Sequence, residues 1–138
     1  MYKYHKDGTL PQNGEVFVFG SNLAGIHGAG AAKVAQERFG AIYGNGVGPQ
    51  TEHRSYAIPT KGFDLRFPLS LSQIKYHIDQ FVEYAQDLQA IAHIQHPGFF
   101  VTRVGCGLAG YRDEEIAPLF RNAKNCSFAE QWKPYLEN

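Results

Sequence analysis

Apolar positions along the chain follow two periods. Short β-branched and aromatic runs predict buried strands at 15–20 (EVFVFG), at Ser55–Pro59 (SYAIP, ended by its proline) and at Phe99–Val104 (FFVTRV), with a shorter one at Cys126–Phe128. Between them the pattern changes to helical spacing. The alanine-rich stretch 29–39 predicts a helix with Gly40 as its C-cap. Ile74, Ile78, Phe81, Val82, Ala85 and Leu88 mark one buried face of a longer helix that starts near Ser70 or Ser72 and is over by Pro97-Gly98. Asp113–Asn122 predicts a third helix with acids in its first turn, where they suit the helix dipole. Residues 1–14 read as an extended arm closed by a turn at Asn13-Gly14, and 40–54 and 60–70 read as loops. Strands alternating with helices predict an α/β fold with a mostly parallel sheet. At 138 residues the expectation is one domain spanning 1–138.

In such sheets ligands sit beyond the carboxyl ends of the strands, and two of the predicted strands run there into glycine-rich loops. After the first come Gly20, Gly25, Gly28 and Gly30, then a helix start whose first N–H groups have no internal partner. After the third comes Gly105-Cys106-Gly107-Leu108-Ala109-Gly110. One such loop is as well explained by a tight turn that needs positive φ. Two on one small domain point to a phosphate-bearing ligand gripped by backbone amides. Familiar motifs do not account for the first loop. Gly25 and Gly30 have P-loop spacing, but Ala31 and Ala32 stand where a P-loop needs Lys and Ser or Thr. Gly28-Ala29-Gly30 opens a dinucleotide fingerprint whose third glycine position is Lys33. The second loop does fit Gly-x-Gly-x-x-Gly, and Glu130 lies where a ribose acid is expected, so a dinucleotide-binding protein stays open as an alternative. Only 28 residues follow Gly110, too few for a second nucleotide-binding half.

Composition narrows the classes. Lys plus Arg and Asp plus Glu number 13 each, so no net field draws the chain to nucleic acid non-specifically. Hydrophobic residues at 43% allow an ordinary core. Cys106 and Cys126 form no C-x-x-C pair, which argues against a zinc site or disulfide scaffold and for reduced thiols in the cytoplasm. The polar first residues do not read as a signal peptide, and no run has the length of a membrane span. No metal or cofactor is expected. Among single residues, Lys61 could be a nucleophile and His27 a phosphate contact or base. His53 and Arg54 end a loop, and His77, His93 and His96 read as surface or filler. Cys106 sits where oriented amides could lower a thiol pKa, but backbone approach or packing explains it equally.

The combination resembles macrodomains, the ADP-ribose-binding module, and is most similar to the branch containing the human terminal ADP-ribose protein glycohydrolase. The resemblance rests on His27-Gly28-Ala29-Gly30-Ala31-Ala32 with a helix ending in Phe39-Gly40, on Tyr56 to Lys61, and on Gly105-Cys106-Gly107-Leu108, and it spans roughly residues 15–128. It implies a three-layer α/β/α sandwich with a mostly parallel mixed sheet. It also implies Gly28, Ala29, Gly30 and Ala31 as a first diphosphate loop and Gly105 to Gly110, Ala109 included, as a second. Asn22 and Tyr111 would face the distal ribose, with Ser21 and His27 counted as further ligand-binding candidates. Glu15 is the available match for the family's adenine-binding acid. In the glycohydrolase branch a lysine attacks the anomeric carbon of the ribose and an acid after Gly-Cys-Gly-Leu assists. Lys61 matches the lysine, while Ala109 holds the acid's place and cannot transfer a proton. The resemblance therefore implies binding of ADP-ribose or a derivative, free or linked to protein or nucleic acid. Glycohydrolase activity through Lys61, or an interaction module with a vestigial pocket, remains as an alternative.

Overall fold

The computed structural model describes residues 2–91 and 96–137; His93 lies outside them. Its strands are β1 (Lys3–His5), β2 (Val16–Asn22), β3 (Gly48–Pro49), β4 (Ser55–Lys61), β5 (Phe99–Val101) and β6 (Cys126–Ala129). They form one sheet in the order β1-β6-β5-β2-β4-β3. Every pairing is parallel except β3 against β4. The helices are α1 (Gly30–Arg38), α2 (Leu71–Ile91), α3 (Asp113–Ile116) and α4 (Lys133–Leu136), with single 3₁₀ turns at Thr51–His53, Ala117–Phe120 and Glu130–Trp132.

Strand alternation sorts side chains into two cores. Val16 and Val18 of β2, Tyr56 and Ile58 of β4, and Phe99 and Val101 of β5 face one way, onto Ile74, Ile78, Phe81 and Ala85 of α2. That larger core also takes Phe120, Phe128 and the fully buried Trp132. Each such side chain contributes about 1.5–3 kcal/mol by leaving water. Phe17, Phe19, Ala57 and Phe100 face the other way, where only α1 covers them through Ala32 and Ala35. The result is the expected mixed α/β/α sandwich, thick on one face and thin on the other. Among the described residues no helix is long and apolar enough to cross a membrane.

Several boundaries differ from the sequence reading, each for a local reason. The arm is not merely extended: Lys3, Tyr4 and His5 pair with Ser127, Phe128 and Ala129 as an edge strand. The second strand does not stop at Pro59 but runs to Lys61. β3 pairs only with Tyr56 and Ala57, and the β2 register shifts between Ser21 and Asn22, so the N–H that proline lacks falls where the ladder is already open. The loop 40–54 contains β3. The strand after Phe99 ends at Val101, because the chain bends at Thr102, whose amide and hydroxyl both donate to the Val18 carbonyl. The helix from Asp113 tightens to 3₁₀ at Ala117, since Pro118 has no N–H to continue an α ladder.

The caps follow the sequence. The Ser70 hydroxyl accepts from the Gln73 amide and the Gln73 side chain accepts from the Ser70 amide, a reciprocal cap at the start of α2. Gly40, at φ +72°, ends α1 and lets the Ala41 amide reach the Ala35 carbonyl.

Candidate functional site

The thin face decides where a ligand fits. At the carboxyl ends of β1, β2, β4 and β5 lies a cleft of about 600 Å³, and both glycine loops line it. Of the residues singled out in the sequence, Ser21, Asn22, Gly28, Ala29, Gly30 and Ala31 line one wall. Gly105 through Ala109 line the other, and Lys61 lines the cleft beside Thr60.

The first wall is an open helix start. Ala29 offers α1 no side-chain cap, and no acid occupies the first turn. The amides there are left for an outside acceptor, with the positive end of the helix dipole behind them. Gly30 enters the helix at φ +58°, which only glycine adopts without strain. A methyl group at Gly28 would meet no protein atom within 4 Å, nor would one at Gly107 across the cleft. At these two positions the absence of a side chain leaves open space rather than relieving a clash.

Behind that wall the backbone is tightly locked. The Asn22 side chain accepts from the Ile26 amide (3.0 Å) and donates to the Ile26 carbonyl (2.8 Å), closing the turn on itself. The Ser21 hydroxyl donates to the Gly46 carbonyl. Methyl groups at Gly25 and Gly46 would lie 2.3 Å from the Asn45 amide nitrogen and 1.7 Å from the Asn22 carbonyl oxygen. Those two glycines let segments 22–25 and 44–46 touch backbone to backbone.

Four sequence candidates are not in the cleft. His27 is buried, edge-on to Phe19, and its Nε2 lies 3.1 and 3.2 Å from the carbonyls of Ile42 and Asn45. Both partners are acceptors, so Nε2 carries the proton and His27 pins the first loop to the next segment. Tyr111 packs against the larger core and donates its hydroxyl to the Leu69 carbonyl at 2.6 Å. Its amide donates to the Gly105 carbonyl, so Tyr111 closes the base of the second loop instead of facing a ribose. Gly110, at φ +84°, turns the chain out of that loop. Glu15 does not line the cleft either.

The sequence reading missed two groups. From the arm, His5, Asp7 and Leu10 reach the cleft, and among the described residues Asp7 is the only acid that lines it. Arg103 reaches it from the turn after β5. Its Nε and Nη2 donate to the two Asp113 carboxylate oxygens at 2.9 and 2.7 Å, and Nη1 donates to Asp7 at 3.2 Å. Trp132 adds a third hydrogen bond to Asp113 at 2.7 Å. Burial pushes the Asp113 carboxyl up, but the bonds from Arg103 and Trp132 outweigh it and hold the group below the usual carboxylate range. Burial, followed by the hydrogen bond to Asp113, pushes the Cys106 thiol up to about 12. It is therefore a neutral S–H at physiological pH and not a thiolate nucleophile. The Lys61 carbonyl accepts from the Leu23 amide, while its side chain makes no hydrogen bond or ion pair with any described residue. Among the described residues no three His, Cys, Asp or Glu side chains are grouped to hold a metal ion.

A mixed, mostly parallel sheet between helices, with two loops at its carboxyl edge enclosing one cleft, is the macrodomain fold. Among solved structures, the macrodomain of Mycobacterium tuberculosis DarG matches it with a TM-score of 0.66 at 17% sequence identity, covering 94% of this chain and 95% of that one. No protein-family model matches the sequence, and no curated protein does.

Proposed function

We propose that the protein binds ADP-ribose, or a metabolite or modification that carries it. The observation that supports this best is the convergence of both glycine loops on one cleft whose first wall is an uncapped helix start. The diphosphate would lie between the loops and accept from their amides. Such a grip needs no metal, because the amides and the helix dipole supply the positive potential. The polar end, with Asn22, Thr60 and Lys61, suits the distal ribose. The aromatic end, with Phe17, Phe100 and His5, suits the base, and the Asp7 carboxylate there can accept from an amine. Calorimetric titration with ADP-ribose, with ADP and NAD as controls, tests the reading. Selective binding of ADP-ribose is expected, and no heat with any of the three rejects it.

A second reading is removal of ADP-ribose from a modified protein or nucleic acid. The unpaired Lys61 ammonium in the cleft favours it. Ala109, which also lines the cleft, supplies no acid, so a lysine-and-acid mechanism is incomplete. Turnover of an ADP-ribosylated substrate that disappears in Lys61→Ala would establish this activity. An intact ligand after prolonged incubation would leave a binding protein.

A further inference from the structure

On its thin face the sheet packs α1 against the cluster of Phe17, Phe19 and Ala57, and no helix of the described residues is packed on Ser127 or His5 there. There the register brings three residues side by side. Phe100 pairs with Ser127 across β5 and β6, and β1 lies on the far side of β6. His5 stacks on Phe100 with ring centroids 3.7 Å apart and planes 17° apart. Its Nδ1 is 2.8 Å from the Ser127 hydroxyl, which is itself buried. The ring is thus fixed by a stack beneath it and a hydrogen bond at one edge. Nε2 has no partner and is not sealed from solvent, and the residue lines the cleft. Leu10 and Val34 line the cleft as well.

We propose that His5 is a specificity-determining residue that selects the nucleobase of the ligand, stacked on Phe100 and oriented by Ser127. This rests on the ADP-ribose reading above and names a residue that reading leaves unassigned. An imidazole here is neutral, because burial pushes its pKa down to about 4. A neutral ring stacks on Phe100 without burying a charge. The Ser127 hydroxyl can donate or accept, so Nε2 can present either a lone pair or an N–H to the edge of a base. Asp7, two residues on, is an acceptor only. The pair therefore favours a base that offers an amine beside a ring nitrogen, as adenine, guanine and cytosine do and uracil does not.

The test uses wild type, His5→Ala and His5→Phe, each titrated with ADP, GDP, CDP and UDP, which share the diphosphate and differ only in the base. Wild type should bind ADP, and the other amine-bearing bases, more tightly than UDP. His5→Ala should lose about tenfold for ADP, the scale of one specific contact to a base edge, with little change for UDP, so that the ranking collapses. His5→Phe keeps the stack and lacks the nitrogens. It should hold overall affinity and lose the ranking, and it carries the test if His5→Ala does not fold. A variant that keeps the wild-type ranking, with affinities unchanged or uniformly lower, overturns the assignment alone, as does a wild type that binds all four equally. A wild type that binds neither these nor ADP-ribose overturns the functional reading and the assignment with it.

Discussion

Residues 22–30 and residues 105–110 line opposite walls of one cleft, yet they are held in different ways. The first loop is joined to segment 42–46 by side chains and bare backbone. Asn22, Ser21 and His27 each bond main-chain atoms, and Gly25 and Gly46 allow contact closer than any Cβ would permit. The second loop is held at its base. Tyr111 returns to the Gly105 carbonyl, and Arg103 and Asp113 anchor the flanking turns, while Leu108 at the tip is 73% exposed. Glycine does different work in the two places. In the first loop some glycines serve the fold and others the cleft, and in the second Gly107 faces open space while a methyl at Gly105 would lie 3.3 Å from Ile116. One substitution, glycine to alanine, can separate these roles.

The largest effect is expected at Gly46. Its new methyl would lie 1.7 Å from the Asn22 carbonyl oxygen, so the backbone must move. Gly46→Ala should lower unfolding free energy by about 3 kcal/mol in urea denaturation. A loss near zero would mean the two segments are not locked. Next comes the anchor of the second loop. Asp113→Asn leaves Arg103 without its bidentate partner and should cost about 2 kcal/mol. Because the native carboxyl is held below its ordinary range, its contribution is present above the unfolded value and is lost as pH falls through the native one. The variant's deficit should therefore shrink in acid, and a deficit independent of pH would point to packing instead.

Gly28→Ala and Gly107→Ala should separate binding from stability. Neither methyl meets protein, and neither glycine is in the left-handed region. Melting should be unchanged or slightly raised, since alanine restricts the unfolded chain. ADP-ribose affinity should drop by about tenfold, or about 1.4 kcal/mol. Unchanged affinity in both would remove the amide grip from the model of binding. The smallest effect concerns His5. The unfolded imidazole titrates near 6.5 and the native one near 4, so the unfolded chain binds more protons between those values. Stability should decline as pH falls through that window, and His5→Phe should flatten part of the decline.

The contrast also explains what could be seen in the sequence. The central strands, α2 with its serine cap and both glycine loops are local patterns of period and punctuation, and they were legible. So was the convergence of the loops, because parallel strands put their carboxyl ends together. The arm was not legible. Lys3–His5 is short and half polar, and it becomes a strand only by pairing with residues more than a hundred positions away. His5 and Asp7 therefore looked like tail, although Asp7 lines the cleft and Glu15 does not. Tyr111 and His27 lie outside the cleft lining for another reason. Their positions beside the loops were correct, but position in sequence does not fix direction, and each turns to a backbone carbonyl that no motif announces.

The place of β1 has a consequence for how the molecule comes to be. The strand made first has its sheet neighbour among the strands made last, Lys3 against Ser127. The rest of the sheet can assemble around β2, β4 and β5 while the arm waits, since the entropy of closing so long a loop opposes earlier docking. The base end of the cleft is then the final part to be completed and the first to open. Its three-residue strand pairs on one side only, at the sheet edge, so it costs little to detach. A nascent or partly opened chain would have both glycine loops in place and the wall of the cleft beside β1 still missing.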